Sequence, residues 1–145
     1  MEWINTLNTL CHAFGPSGAE GGVAQIIEET ARPYVDEITR DTMGNLICRK
    51  KGSGPRLMFS AHMDSIGLVV THIDDKGFLR VGAIGGVYAD AVVNTPVRFQ
   101  NGTCGVIAAQ VGSTPGKRTM ADLYLDIGAT SREEAGQQVQ IGGVA

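Results

Sequence analysis

The apolar residues of this 145-residue chain begin at helical spacing and end as a run of short strands, and the change of character falls near residue 66. Trp3, Ile4, Leu7, Leu10, Cys11 and Phe14 make one stripe of a helix over 2–14, which Gly15-Pro16 ends. Ser17-Gly18-Ala19-Glu20 has the form of a capping box, with Glu20 three residues after the serine. It predicts a second helix carrying Val23, Ile26, Ile27, Ala31 and Tyr34 on one face, stopped or kinked at Pro33. Asp36–Thr42 and Leu46–Lys50 flank Met43-Gly44-Asn45 and predict a hairpin. Arg56–Ala61 is continuously apolar at its centre, as befits a strand in a sheet covered on both faces.

Beyond residue 66 the turn signals come at short intervals. Ile66–Ile73 and Phe78–Val81 surround Asp74-Asp75-Lys76-Gly77, and Thr95–Phe99 and Thr103–Val111 surround Gln100-Asn101-Gly102, which predicts two more hairpins. Residues 112–121 read as a mobile loop by composition. Leu123–Ile127 predicts a short strand, and Ser131 caps a short helix that Gly136 weakens. Gly142-Gly143-Val144-Ala145 look like the entry to another strand with nothing after them to pair, so the chain reads as cut short. Glycine accounts for 20 of the 145 residues without any period, as many tight strand connections require. The expected architecture is part of an α/β layer followed by a small all-β barrel or sandwich.

Charge and composition exclude several functions. Twelve Lys+Arg against fifteen Asp+Glu give a net charge of −3, without the basic stripe of a nucleic-acid binder. No apolar stretch approaches the ~20 residues that span a bilayer. The start, Met1-Glu2-Trp3-Ile4-Asn5, has neither a basic n-region nor an apolar h-region, so a non-secreted, soluble, cytoplasmic protein is expected. Cys11, Cys48 and Cys104 are isolated, with no CxxC or CxxH spacing for a disulfide framework or zinc knuckle.

The best candidate for chemistry is Ala61-His62-Met63-Asp64. His62 falls at the C-terminal end of the apolar strand, where α/β sheets place ligands. Asp64, two residues on, shares its side in an extended chain. A carboxylate there can fix the tautomer of a metal-binding histidine; the plainer alternative is a pair bonded to each other or to water. His12 reads as a helix-surface residue and His72 as a solvent-facing strand residue. Asp74-Asp75 reads as turn chemistry rather than an acid/base pair. Gly82-Ala83-Ile84-Gly85-Gly86 opens no strong helix and so fails as a phosphate loop. Ser17 and Ser60 lack any GxSxG context.

Five ordered segments carry a resemblance to a known family: Phe14-Gly15-Pro16-Ser17-Gly18-Ala19-Glu20, Asp41-Thr42-Met43-Gly44-Asn45-Leu46, Ser60-Ala61-His62-Met63-Asp64-Ser65-Ile66-Gly67, His72-Ile73-Asp74-Asp75-Lys76-Gly77-Phe78-Leu79 and Asp122-Leu123-Tyr124-Leu125-Asp126-Ile127-Gly128-Ala129. Over essentially its whole length the chain resembles the N-terminal part of the M42 metallo-aminopeptidases, the glutamyl/tetrahedral group, some of whose members have carried endoglucanase labels. The resemblance implies an α/β catalytic domain of zinc-exopeptidase type, here residues 1–65. A small inserted β-barrel that builds a homo-oligomer would take residues 66–145, cut short at its C-terminal end. It implies a centre of two divalent metals, zinc or cobalt, in which His62 matches the first metal ligand and Asp64 the catalytic carboxylate that orients it. The bridging aspartate, the glutamate pair, a further acidic ligand and a distal histidine match nothing within these 145 residues. Ser65 stands where many members have glutamate.

The expected function is hydrolysis of N-terminal residues from peptide substrates, with no nucleic-acid or membrane partner. The chain alone is expected to be inactive, with at most weak binding of a single metal. The alternatives are a non-catalytic β-barrel assembly module and a glycan hydrolase. The latter needs two carboxylates flanking a sugar site, and no such pair stands out.

Overall fold

The structure, a computed structural model, describes residues 2–145. The chain divides into two compact units, Met1–Asp64 and Ser65–Ala145.

In the first unit, α1 (Glu2–His12) and α2 (Gly21–Ala31) are followed by a 3-10 turn, Arg32–Tyr34. Pro33 offers no N–H to an α ladder, and the helix tightens into that turn where the sequence predicts a stop or kink. Val23 and Ala24 of α2 are buried, whereas Trp3 and Leu7 on the apolar stripe of α1 stay exposed. Strands β1 (Glu37–Arg40) and β2 (Leu46–Arg49) pair antiparallel, with Ile38 opposite Cys48. The Asp41 carboxylate closes their turn by accepting from the Met43 and Asn45 N–H groups, both at 2.9 Å, and from the Asn45 side-chain amide at 2.8 Å.

Two expectations fail in this unit. Ser17 does not cap α2: the helix begins at Gly21 with Glu20 at the N-cap and no side-chain cap bond. Arg56–Ala61 joins no sheet, and Leu57, Met58 and Phe59 are 83%, 90% and 94% exposed. A strand is held by neighbours on its edges. Among the described residues the first unit has only the β1–β2 pair, so the segment has no ladder to join.

The second unit is built on a five-stranded antiparallel sheet in the order β3-β4-β7-β6-β5. Its strands are β3 (Gly67–Ile73), β4 (Leu79–Ile84), β5 (Pro96–Arg98), β6 (Cys104–Ala109) and β7 (Leu123–Asp126). A short helix, α3 (Ala89–Val92), joins β4 to β5, and α4 (Arg132–Gln138) follows β7. The β3–β4 register shifts between Val70 and His72. Residues 142–145 add to the free edge of β3: the Leu68 N–H donates to the Ala145 carbonyl at 2.8 Å, and the Gly142 N–H to the Val70 carbonyl at 2.8 Å. The pairings described leave the sheet open, with β5 at the far edge, so the expected closed barrel is not shown.

The core of this unit is one cluster around Leu68, Val70, Leu79, Ile107, Leu123 and Leu125, covered by Ala135 and Val139 of the α4 region. Val87, Val92 and Val93 of the apolar β4–β5 connection pack against the same cluster. In the β3–β4 turn Gly77 has φ +88°, and a Cβ there would sit 2.8 Å from the Ala129 carbonyl oxygen, so only glycine fits. Residues 112–121, expected to be a mobile loop, carry several side-chain bonds. Arg118 donates to Asp90 at 3.1 Å and to the Ser113 hydroxyl at 3.1 Å, and Thr119 and Asp122 cap each other.

Candidate functional site

The side chains of His62 and Asp64, at the end of the unpaired segment, meet. The His62 Nδ1 lies 2.9 Å from Asp64 Oδ1 and 3.1 Å from the Asp64 carbonyl oxygen. Both partners are acceptors only, so Nδ1 carries a proton, and in the neutral ring the lone pair sits on Nε2. The ring itself is 86% exposed. This is how a carboxylate presents a histidine to a metal ion, fixing both tautomer and ring plane.

The other oxygen of Asp64 is also taken. The Ser17 hydroxyl donates to Asp64 Oδ2 at 2.5 Å, across 47 residues of chain. Ser17, more than His62, holds the Asp64 carboxyl below its ordinary range. The turn that carries Ser17 is itself braced. The Ala19 N–H donates to the Pro16 carbonyl at 2.8 Å, and the Gly18 N–H to Glu20 Oε1 at 2.7 Å. Gly15 and Pro16 are buried, and a Cβ on Gly15 would fall 2.3 Å from Val23 Cγ2 and 3.9 Å from the Met63 carbonyl. The lack of a side chain at Gly15 lets the turn lie against α2 beside the segment that bears His62. Glu20 thus does reach back as a capping box suggests, but to Gly18, while the serine bonds to Asp64. The motif Phe14–Glu20 belongs to the family resemblance, yet local spacing assigns it to helix capping, and no local signal reveals a partner 47 residues away.

The remaining candidates stand apart from this pair. The His12 Nδ1 bonds the Asn8 carbonyl at 2.8 Å on α1. His72 lies 3.5 Å from Arg132, which also pairs with Asp75 at 3.1 Å. Asp74 accepts from the Lys76 and Phe78 N–H groups, both at 3.0 Å, as a turn aspartate. The three cysteines are free and exposed. Among the described residues no three His, Cys, Asp or Glu side chains converge to hold a metal ion. His62, with Nδ1 bonded to Asp64, has the donor chemistry of a single metal ligand.

A family model described as M42 glutamyl aminopeptidase matches residues 44–145. A provisionally named aminopeptidase of Acetivibrio thermocellus is 47% identical over 145 residues, which cover 99% of this chain and 44% of that protein. The TET aminopeptidase of a marine-sediment Thaumarchaeota archaeon matches with a TM-score of 0.87 at 32% identity, over 99% of this chain and 44% of that one. A TET peptidase of Pyrococcus horikoshii, which can assemble into a tetrahedron or a large octahedral shell, matches with a TM-score of 0.82 at 32% identity, over 97% and 45%. The chain thus spans less than half the length of these relatives. No helix among the described residues is long and apolar enough to cross a membrane. With the family model matched over residues 44–145 and the relatives aligned along nearly its whole length, the protein belongs to the M42 glutamyl aminopeptidase family.

Proposed function

We propose that this chain supplies His62 as the first metal ligand, and Asp64 as the carboxylate that orients it, to a two-metal aminopeptidase that removes N-terminal residues from peptides. The observation that carries the reading is the bond between His62 Nδ1 and Asp64 Oδ1 at 2.9 Å, which leaves Nε2 as the donor atom. When bound, a pair of divalent ions such as zinc or cobalt polarises the scissile carbonyl and acidifies a water. Asp64 keeps the proton on Nδ1, holds the ring plane and raises the basicity of Nε2. The general base and the other ligands come from sequence outside the 145 residues.

Residues 1–65 are then the first part of an α/β zinc-exopeptidase-like domain, and residues 66–145 an inserted β-barrel through which copies of the protein associate. The membership in a family of aminopeptidases supports the first point, and the assembly of the Pyrococcus horikoshii peptidase supports the association of copies. One histidine cannot hold two divalent ions, so the 145-residue chain by itself binds metal weakly and does not turn over substrate.

The test joins this chain to the C-terminal part of the Acetivibrio thermocellus relative and assays aminoacyl-anilides with added zinc or cobalt. The fusion is expected to be active, to lose activity with His62→Ala, and to lose about 10- to 100-fold in metal affinity or activity with Asp64→Asn. A folded, active fusion indifferent to His62→Ala would overturn the reading.

A further inference from the structure

We infer that Ser17 is a positioning residue for the metal-ligand histidine, acting through Asp64: its hydroxyl clamps one carboxylate oxygen so that the other stays aimed at His62 Nδ1. The inference rests on the proposed role of His62 and extends it to a residue whose side-chain bond is to Asp64.

Three observations support it. First, the two oxygens of Asp64 are divided: Oδ1 faces His62 at 2.9 Å and Oδ2 accepts from Ser17 at 2.5 Å. A carboxylate held at one oxygen can rotate about its terminal torsion, which is broad and two-fold. Held at both, its plane is fixed, and so is the plane of the imidazole bonded to it. Second, the turn that presents Ser17 is rigid for reasons unrelated to capping a helix. It is closed by the Ala19-to-Pro16 bond and the Gly18-to-Glu20 bond, and its base, Gly15 and Pro16, is buried, Gly15 against Val23 of α2. Third, α2 has no side-chain cap bond, so the serine has not been diverted from another duty at the helix start. The site lies at the surface, where water competes with each of these bonds, and a second anchor matters most where a single hydrogen bond is weak. An unclamped Asp64 turns away part of the time, and His62 then samples the tautomer with its proton on Nε2, which leaves that nitrogen without a lone pair for a metal.

The test reads the tautomer directly. Nitrogen-15 NMR of the metal-free 145-residue chain at about pH 8, above the ordinary histidine range, separates the Nδ1–H from the Nε2–H form of His62. The wild-type chain is expected in the Nδ1–H form. Ser17→Ala and Asp64→Ala are expected to move His62 toward the mixture of a free imidazole, while Ser17→Thr, which keeps a hydroxyl, restores the wild-type spectrum. In the fusion with the Acetivibrio thermocellus relative, Ser17→Ala should weaken metal binding by up to about tenfold, at the low end of the range for residues behind a ligand. A Ser17→Ala chain whose His62 signals match wild type, while Asp64→Ala shifts them, would overturn the role of Ser17 and leave the metal-ligand reading intact. A fusion whose turnover ignores His62→Ala would overturn that reading instead, whatever the tautomer shows.

Discussion

Leu125→Ala should destabilise the second unit by about 3 to 4 kcal/mol. Leu125 is fully buried on β7, the strand between β4 and β6, and its cross-strand neighbours are Leu79 on one side and Ile107 on the other, themselves 0% and 1% exposed. The substitution removes three carbon atoms from a packed site, about 2.4 kcal/mol at ~0.8 kcal/mol per buried group. A cavity term adds to this, because hydrogen-bonded strands on both sides cannot collapse into the gap, and the total is about 3 to 4 kcal/mol. With a urea slope of about 1.5 kcal/mol/M, the midpoint should fall by about 2 M or more. Urea unfolding followed through amide exchange of β6 and β7 reports this unit by itself. Val111→Ala, at a fully exposed position, is the control and should stay within about 0.5 kcal/mol of wild type. If Leu125→Ala cost less than about 1 kcal/mol, or no more than Val111→Ala, the assignment of the core to the β4–β7–β6 face would be wrong.

Two further outcomes follow from the same unit. Gly77→Ala combines a left-handed backbone with a clash against the Ala129 carbonyl, so it should cost clearly more than Gly128→Ala, which has φ +80° but open space; equal thermal shifts for the two would refute the close approach. Asp90, Asp122 and Glu134 all have carboxyls held below their ordinary range, chiefly by backbone N–H groups of Gly116, Thr119 and Thr130 respectively. In acid the unfolded chain therefore takes up protons before the folded one, and stability is complete above the unfolded values of about 4 and lost as pH falls through the folded ones. Urea midpoints measured from neutral pH to about pH 3 should decline at the acid end, and less steeply in Asp122→Asn; a rise on acidification contradicts the bonding.

What the sequence determined by itself is the set of features whose causes are local. Both N-terminal helices follow from apolar spacing, and three hairpins from turn residues that bond their own backbones, as Asp41 and Asp74 do. The Ser131 cap lies within one turn, its hydroxyl accepting from the Glu134 N–H at 3.2 Å. The meeting of His62 and Asp64 is local as well, since the two stand two residues apart. Tertiary structure decided what depends on distant partners. Apolar residues mark Arg56–Ala61 as strand-like, but a ladder needs neighbouring edges, and the described residues provide none for it. The place of β7 between β4 and β6 is set by the shared burial of Leu79, Leu125 and Ile107, which lie far apart in sequence. Composition makes 112–121 look mobile, but the Asp90 carboxylate accepts from Arg118, 28 residues later, and ties the loop to α3. Ser17 shows the difference most sharply. Its neighbours suit a helix cap, yet its hydroxyl bonds to a carboxylate 47 residues away, because a buried turn at Gly15-Pro16 carries it to Asp64. A hydroxyl forms the bond that the folded chain brings within reach, and only the fold selects among distant partners.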